Sequence, residues 1–258
     1  VKPYARRIDD MVIDPAIGMK FALGENPKTV YNEKSVTPMT RMATASLIRE
    51  QLKKAERYLD DKERADEEED YDLPEYDAKC EALIPVLERE QKAFFHAHRA
   101  DDIFTAIRIA KEFKLDYVIV HCTEGHLVRD ILAAEKVKAI AGPTLCDRSK
   151  PELKNLSVEG PALLHEAGIH AALCTDHPVI PIQYLPLCAG LCMGAGLERE
   201  EALKAITIYA AEAAGIDDKV GSLAPGKDAD LVIYEEDADP CGPYARPSMV
   251  FINGQQVV

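Results

Sequence analysis

Apolar and polar residues alternate in two rhythms along this chain, and the rhythms predict its elements. GMKFAL (18–23) reads as a short buried strand that ends at Gly24. From about Met39 to Leu59 the apolar positions Leu47, Ile48, Leu52, Ala55 and Leu59 recur at helical spacing. Residues 60–72 are mostly Asp and Glu and are expected to form a solvated loop or a frayed helix end. A helix over 75–90 should be interrupted at Pro85, which cannot donate to the helical ladder. Strands then alternate with helices. KAFFHAH (92–98), LDYVIVHC (115–122), VKAIAGP (137–143) and IHAALCTD (169–176) are the strands. Segments 100–113, 124–135, 160–167 and 185–196 are the helices between and after them, and the first carries Ile103, Ala106, Ile107, Ala110 and Phe113 on one face.

Such alternation predicts an α/β fold with a parallel sheet, and nearly continuous apolar strands predict a sheet buried on both faces. After a helix over 198–214 the texture changes to short strands at 230–234, 249–252 and 255–258. Pro225–Gly226 and Asn253–Gly254 are turn signals between them. We expect a main domain over 1–217 and a small β subdomain over 218–258.

Composition narrows the function classes. The net charge of -14 argues against nucleic acid, which demands clustered Lys and Arg. No apolar run is long enough to span a bilayer, and the first 20 residues lack the apolar core of a signal peptide. The seven cysteines form no CxxC pair and sit mostly in apolar context, so reduced thiols and a cytoplasmic location are expected. The first residue is Val1 rather than Met, which suggests a piece of a longer product.

Candidate chemistry sits where the strands end. His96 and His98 close one strand, His121 closes the next and Asp176 closes a later one. The carboxyl edge of a parallel sheet or barrel is where sites are built. Imidazole and carboxylate are the usual ligands of zinc and similar divalent ions, so a metal site is expected there. Taken singly, each histidine could equally be a hydrogen-bonded core residue.

Four ordered stretches, GMKFALGENP, HAHRADDIFTAIRIAKEF, VHCTEGH and CTDHPVIP, resemble the imidazolonepropionase-like branch of the amidohydrolase superfamily. The tail GSLAPGKDADLVIYEED resembles the segment by which these enzymes return to their small β-sandwich domain. The resemblance implies a partial (β/α)8 TIM-type barrel, strands four to eight, with a small C-terminal β subdomain. It implies a metal-dependent hydrolase of C–N bonds, in cyclic amides or dipeptide-like substrates, acting through a zinc-bound hydroxide. His96, His121 and Asp176 match the ligands of the fifth, sixth and eighth strands. By the same resemblance Asp176 takes the proton of the attacking water, and His121 binds metal or hydrogen-bonds the tetrahedral intermediate. Lys20 matches a fourth-strand lysine that is carbamylated in some branches. His98 faces away or supports the ligands from outside, and His98, Glu124, Arg148 and His177 are candidates for substrate contact.

Each assignment has a plainer alternative. Asp176 can cap a turn, His121 can be a satisfied core imidazole, and Lys20 can pair with Glu25 or face solvent. Arg148, Lys150 and Glu124 can be ordinary loop charges, while Asp228 and Asp230 are expected to be structural. The family's first-strand His-x-His pair has no counterpart before His96. The chain is therefore expected to need an N-terminal half or a second copy to cover its open edges, and to hydrolyse poorly alone. The other reading is a non-catalytic barrel fragment or assembly partner.

Overall fold

The computed structural model describes all 258 residues. It contains a five-stranded parallel sheet of order β1-β2-β3-β4-β5 and a three-stranded antiparallel sheet of order β6-β7-β8, as the two rhythms predict. Contacts divide the chain into two units, Gly18–Val120 and Val1–Ile17 with His121–Val258; the division falls inside β3.

In the first unit, β1 (Gly18–Ala22) pairs in parallel with β2 (Lys92–Ala97), with Ala22 opposite His96 and Lys20 opposite Phe94. Between them run α1 (Glu25–Glu33), α2 (Arg41–Glu67), and the short α3 (Ala78–Glu81) and α4 (Ile84–Leu87). Pro85 stands in the first turn of α4, so the predicted interruption becomes a fresh start. Then come α5 (Ala100–Glu112) and β3 (Tyr117–His121). Phe21 stacks on the fully buried Phe95 at 5.0 Å. The predicted stripe of α5, Ile103 to Phe113, is buried throughout.

Two expectations need correction here. The acidic stretch is not simply a loop, because α2 runs on to Glu67. Its distal half is held by partners far along the chain. Tyr58 and Lys62 both donate to Glu81, Tyr71 donates to Asp61, and the Arg64 guanidinium lies 4.1 Å over the Tyr71 ring. The buried face of α2 also differs from the expected stripe: Thr44, Leu52, Ala55 and Tyr58 are buried, whereas Leu47 is exposed. Tyr58 belongs to that face because its hydroxyl reaches a carboxylate while its ring packs.

In the second unit, α6 (Arg129–Ala134) and β4 (Ala139–Ala141) are followed by α7 (Gly160–Glu166) and β5 (Ala172–Leu173), which pairs in parallel with β4. Next come α8 (Leu185–Gly194), α9 (Arg199–Ala205) and α10 (Ile208–Ala214); the last two replace the single helix expected over 198–214. The antiparallel strands β6 (Leu231–Ile233), β7 (Met249–Ile252) and β8 (Gln255–Gln256) lie close to their predicted positions. Asn253 and Gly254 both take positive φ, 51° and 76°, as a two-residue hairpin turn requires. Lys2 pairs with Asp228 and Asp230, and Asp230 accepts the Asn253 N–H, so these two aspartates tie the chain start to the small sheet. No helix is long and apolar enough to cross a membrane, and none of the seven cysteines is in a disulfide.

Two outcomes follow from the packing of α2 and α3. Leu52→Ala, at a fully buried site, should cost about 3 kcal/mol of unfolding free energy in urea, whereas Leu47→Ala should cost well under 1 kcal/mol. Equal losses would contradict the assigned face. Asp77 caps α3 and is held down to about 2 by Lys54 and then by the N–H groups of Cys80 and Lys79. A depressed folded-state pKa stabilises above the unfolded value and is lost on acidification. The urea-midpoint advantage of the native chain over Asp77→Ala should therefore be complete above pH 5 and fade between about pH 4 and pH 2. An advantage independent of pH would contradict the capping role.

Candidate metal centre

Successive side chains of a strand alternate between its faces, so His96 and His98, two apart, leave β2 on one side. Both are buried, and their rings meet edge to face at 4.8 Å. Of the two placements expected for His98, turning away or supporting the ligands from outside, the first does not occur. His121 is the last residue of β3 and is buried as well. The metal-binding atoms of His96, His98 and His121 all lie within 4.8 Å of one another.

The backbone after β3 is unusual. His121 has φ 76° and Cys122 φ 47°, and Asp176, beyond β5, has φ 51°. Side-chain-bearing residues rarely adopt this region outside helix ends and turns, and such strain gathers at functional sites. The His121 ring is oriented by a short bond from Nδ1 to the Gly142 carbonyl, 2.8 Å. A carbonyl only accepts, so the proton is on Nδ1 and Nε2 keeps its lone pair. A metal-binding histidine commonly carries this kind of support on its other nitrogen. Three neutral imidazoles fit a borderline ion such as zinc, and three protein ligands leave a fourth position for water. The donor set therefore fits a divalent metal.

The remaining candidates are placed as follows. Lys20 is exposed, on the face of β1 that corresponds to His96 on β2. Asp176 and His177 are exposed after β5, and His177 Nδ1 accepts the Ile182 N–H at 3.3 Å. Asp176 is not among the gathered ligand atoms. Glu124 is buried and accepts from the Asn155 side chain, and Arg148 donates to the Leu156 carbonyl. Burial pushes the thiols of Cys122 and Cys174 up to about 12, so neither offers a thiolate at neutral pH. One neighbour escaped sequence reasoning altogether. Asn26, in the first turn of α1, has its amide nitrogen 3.3 Å from His96 Nε2.

The sequence profile of the amidohydrolase family matches residues 87–257, well over half of the chain. The chain belongs to the amidohydrolase family. The solved structure of an amidohydrolase from Thermotoga maritima superposes on it with a TM-score of 0.92 at 41% identity, over 97% of this chain and 64% of that one. Amidohydrolase tasK of Hapsidospora irregularis is 27% identical over 249 residues, which is 92% of this chain and 25% of tasK. Imidazolonepropionase of Geobacillus kaustophilus is 49% identical over 74 residues, 28% of this chain and 18% of that enzyme, so this amidohydrolase is imidazolonepropionase-like over that stretch. The chain spans less than two thirds of the length of each of these relatives.

If the three imidazoles form one site, zinc or cobalt(II) at a hundred times its dissociation constant should stabilise the chain by about 2.7 kcal/mol. His96→Ala, His98→Ala and His121→Ala should each remove most of that gain in a thermal-shift titration. A gain that survives all three substitutions would place the ion elsewhere.

Proposed function

We propose that this amidohydrolase hydrolyses a C–N bond of a cyclic amide or of a dipeptide-like small molecule, with a divalent ion, zinc by preference, held by His96, His98 and His121. The observation that carries the reading is the three-histidine group with a preset lone pair on His121 Nε2. Its support is family membership and the imidazolonepropionase-like stretch. When bound, such an ion acidifies a water towards a pKa of about 7 and polarises the scissile carbonyl. The protein's own part is to orient and exclude. The Gly142 carbonyl fixes the His121 ring, and burial of all three histidines keeps bulk water from competing.

Asp176 is proposed as the proton acceptor. It stands beyond the carboxyl end of β5 with a strained backbone, the position that the fold reserves for reacting groups. Lys20 is proposed to lie beside the ion, while Glu124, Arg148 and His177 face the substrate. We place the protein in the cytoplasm, on the strength of seven cysteines without a disulfide. We also divide it into a barrel part over 1–217 and a β subdomain over 218–258.

A second reading is favoured by one specific observation. No histidine precedes His96, and the chain covers only 64% of the Thermotoga maritima amidohydrolase. On that reading the chain is an incomplete barrel, competent only with an N-terminal half or a second copy, or else non-catalytic. Zinc-loaded chain should be assayed on cyclic amides and dipeptides, alone and co-expressed with a segment carrying a His-x-His strand. Turnover should arise only in the co-expressed sample, and Asp176→Asn should lower kcat by at least a hundredfold. Full turnover by the chain alone would remove the need for a second piece. No turnover in either sample would leave the non-catalytic reading.

A further inference from the structure

A buried hydroxyl stands unsatisfied beside the residue that closes β3. Thr144, three residues beyond the end of β4, is 7% exposed, and its Oγ1 meets no hydrogen-bond partner. Buried polar groups are almost always satisfied, and an orphaned hydroxyl is costly. Thr144 lines a cavity of about 10 Å3, which His121 and Gly142 also line. Roughly 10 to 15 Å3 is room for one water and for nothing larger.

The walls offer a water the partners it needs. Ser157 lines the same cavity. Its Oγ accepts the Glu159 N–H at 3.0 Å, so its own proton remains to give. The Gly142 carbonyl accepts from His121 Nδ1 and keeps a second lone pair. The Thr144 hydroxyl can give or accept. Two to four such contacts hold a buried water, and the apolar side chains of Leu156, Pro161 and Leu164 complete the lining.

The segment that bears these groups has few other anchors. Gly142 carries no side chain, and a Cβ there would collide with the Cys174 carbonyl oxygen. Its N–H reaches the His121 carbonyl only at 3.4 Å. Pro143 has no N–H to donate. Thr144 is thus the first residue after β4 whose side chain can fix this turn by a hydrogen bond, and the turn carries the carbonyl that orients the His121 ring.

We propose that this cavity binds a single water, which bridges the Thr144 hydroxyl to Ser157 and the Gly142 carbonyl, and that Thr144 is thereby a positioning residue for His121. The water site stands on the cavity and the hydroxyl. Only its purpose rests on the reading of His121 as a metal ligand.

Thr144→Val replaces the hydroxyl by a methyl of nearly the same size, and the two states of the hydroxyl predict opposite signs. If the hydroxyl is orphaned, its removal should raise the urea midpoint. If it holds a water, Thr144→Val should lower the midpoint and expel the water, whereas Thr144→Ser should keep the water. A crystal structure that shows ordered waters should place one within hydrogen-bond distance of Thr144 Oγ1 in the native chain, retain it in Thr144→Ser and lack it in Thr144→Val. An unchanged or raised midpoint in Thr144→Val, or a native cavity with no water at Thr144, overturns the site. Zinc titration calorimetry examines the purpose. Affinity should weaken at least about threefold in Thr144→Val, a smaller effect than loss of a direct outer partner of a ligand, and recover in Thr144→Ser. Equal affinity in all three overturns the positioning role. A native chain that takes up no zinc overturns the metal reading and that role with it, while the water site, read from the midpoints and the crystals, stands.

Discussion

A parallel strand packed on both faces has no tolerance for an imidazole along its length, and this constraint organises the candidate site. The interior stretches of β2 and β3 are apolar apart from the flanks, and their histidines stand at the carboxyl ends. There the chain leaves the sheet, the backbone carbonyls are no longer all engaged in the ladder, and one of them can orient a ring. The Gly142 carbonyl does so for His121. A buried imidazole without such a partner would bear the desolvation cost of an unsatisfied polar group. With one, it is held in a single tautomer with its second nitrogen presented.

The strain at His121 and Cys122 belongs to the same arrangement. A left-handed conformation at two consecutive side-chain-bearing residues is costly by itself. It is sustained because His121 is anchored through its ring and Cys122 packs as a small apolar group with a thiol that stays protonated. One set of charged groups near these strand ends holds segments in place. Asp102 is buried against Arg41, which also holds Glu25. A buried carboxylate of this kind is tolerated only when paired, so the pairing constrains where α1 and α5 can begin.

Membership of the amidohydrolase family and a TM-score of 0.92 to the Thermotoga maritima amidohydrolase give this arrangement its context. Eight strands close a TIM barrel, and the sheet here has five. A five-stranded parallel sheet leaves two edge strands with unpaired backbone groups. In chemical terms the site stands at the open carboxyl edge of such a sheet.

Much of this was legible in the sequence because it depends on local periodicity. The strand and helix rhythms, the apolar face of α5, the Asn253–Gly254 turn and the family resemblance are properties of short stretches, and each lies near its expected place. Two placements were open for His98 from the sequence, turning away or supporting the ligands from outside, and the packing of its ring against His96 leaves only a position on the His96 side. Tertiary structure decided what depends on partners distant in the chain. The extension of α2 to Glu67 rests on Glu81 and Tyr71, which neutralise or cover charges that local composition reads as solvated. The exposure of Asp176, the burial of Asp102 and the approach of Asn26 to His96 across 70 positions are of the same kind. A side chain's periodicity is set by its own backbone, whereas its hydrogen-bond partner is set by whichever segment the fold carries past it, and one sequence read in order contains the first and not the second.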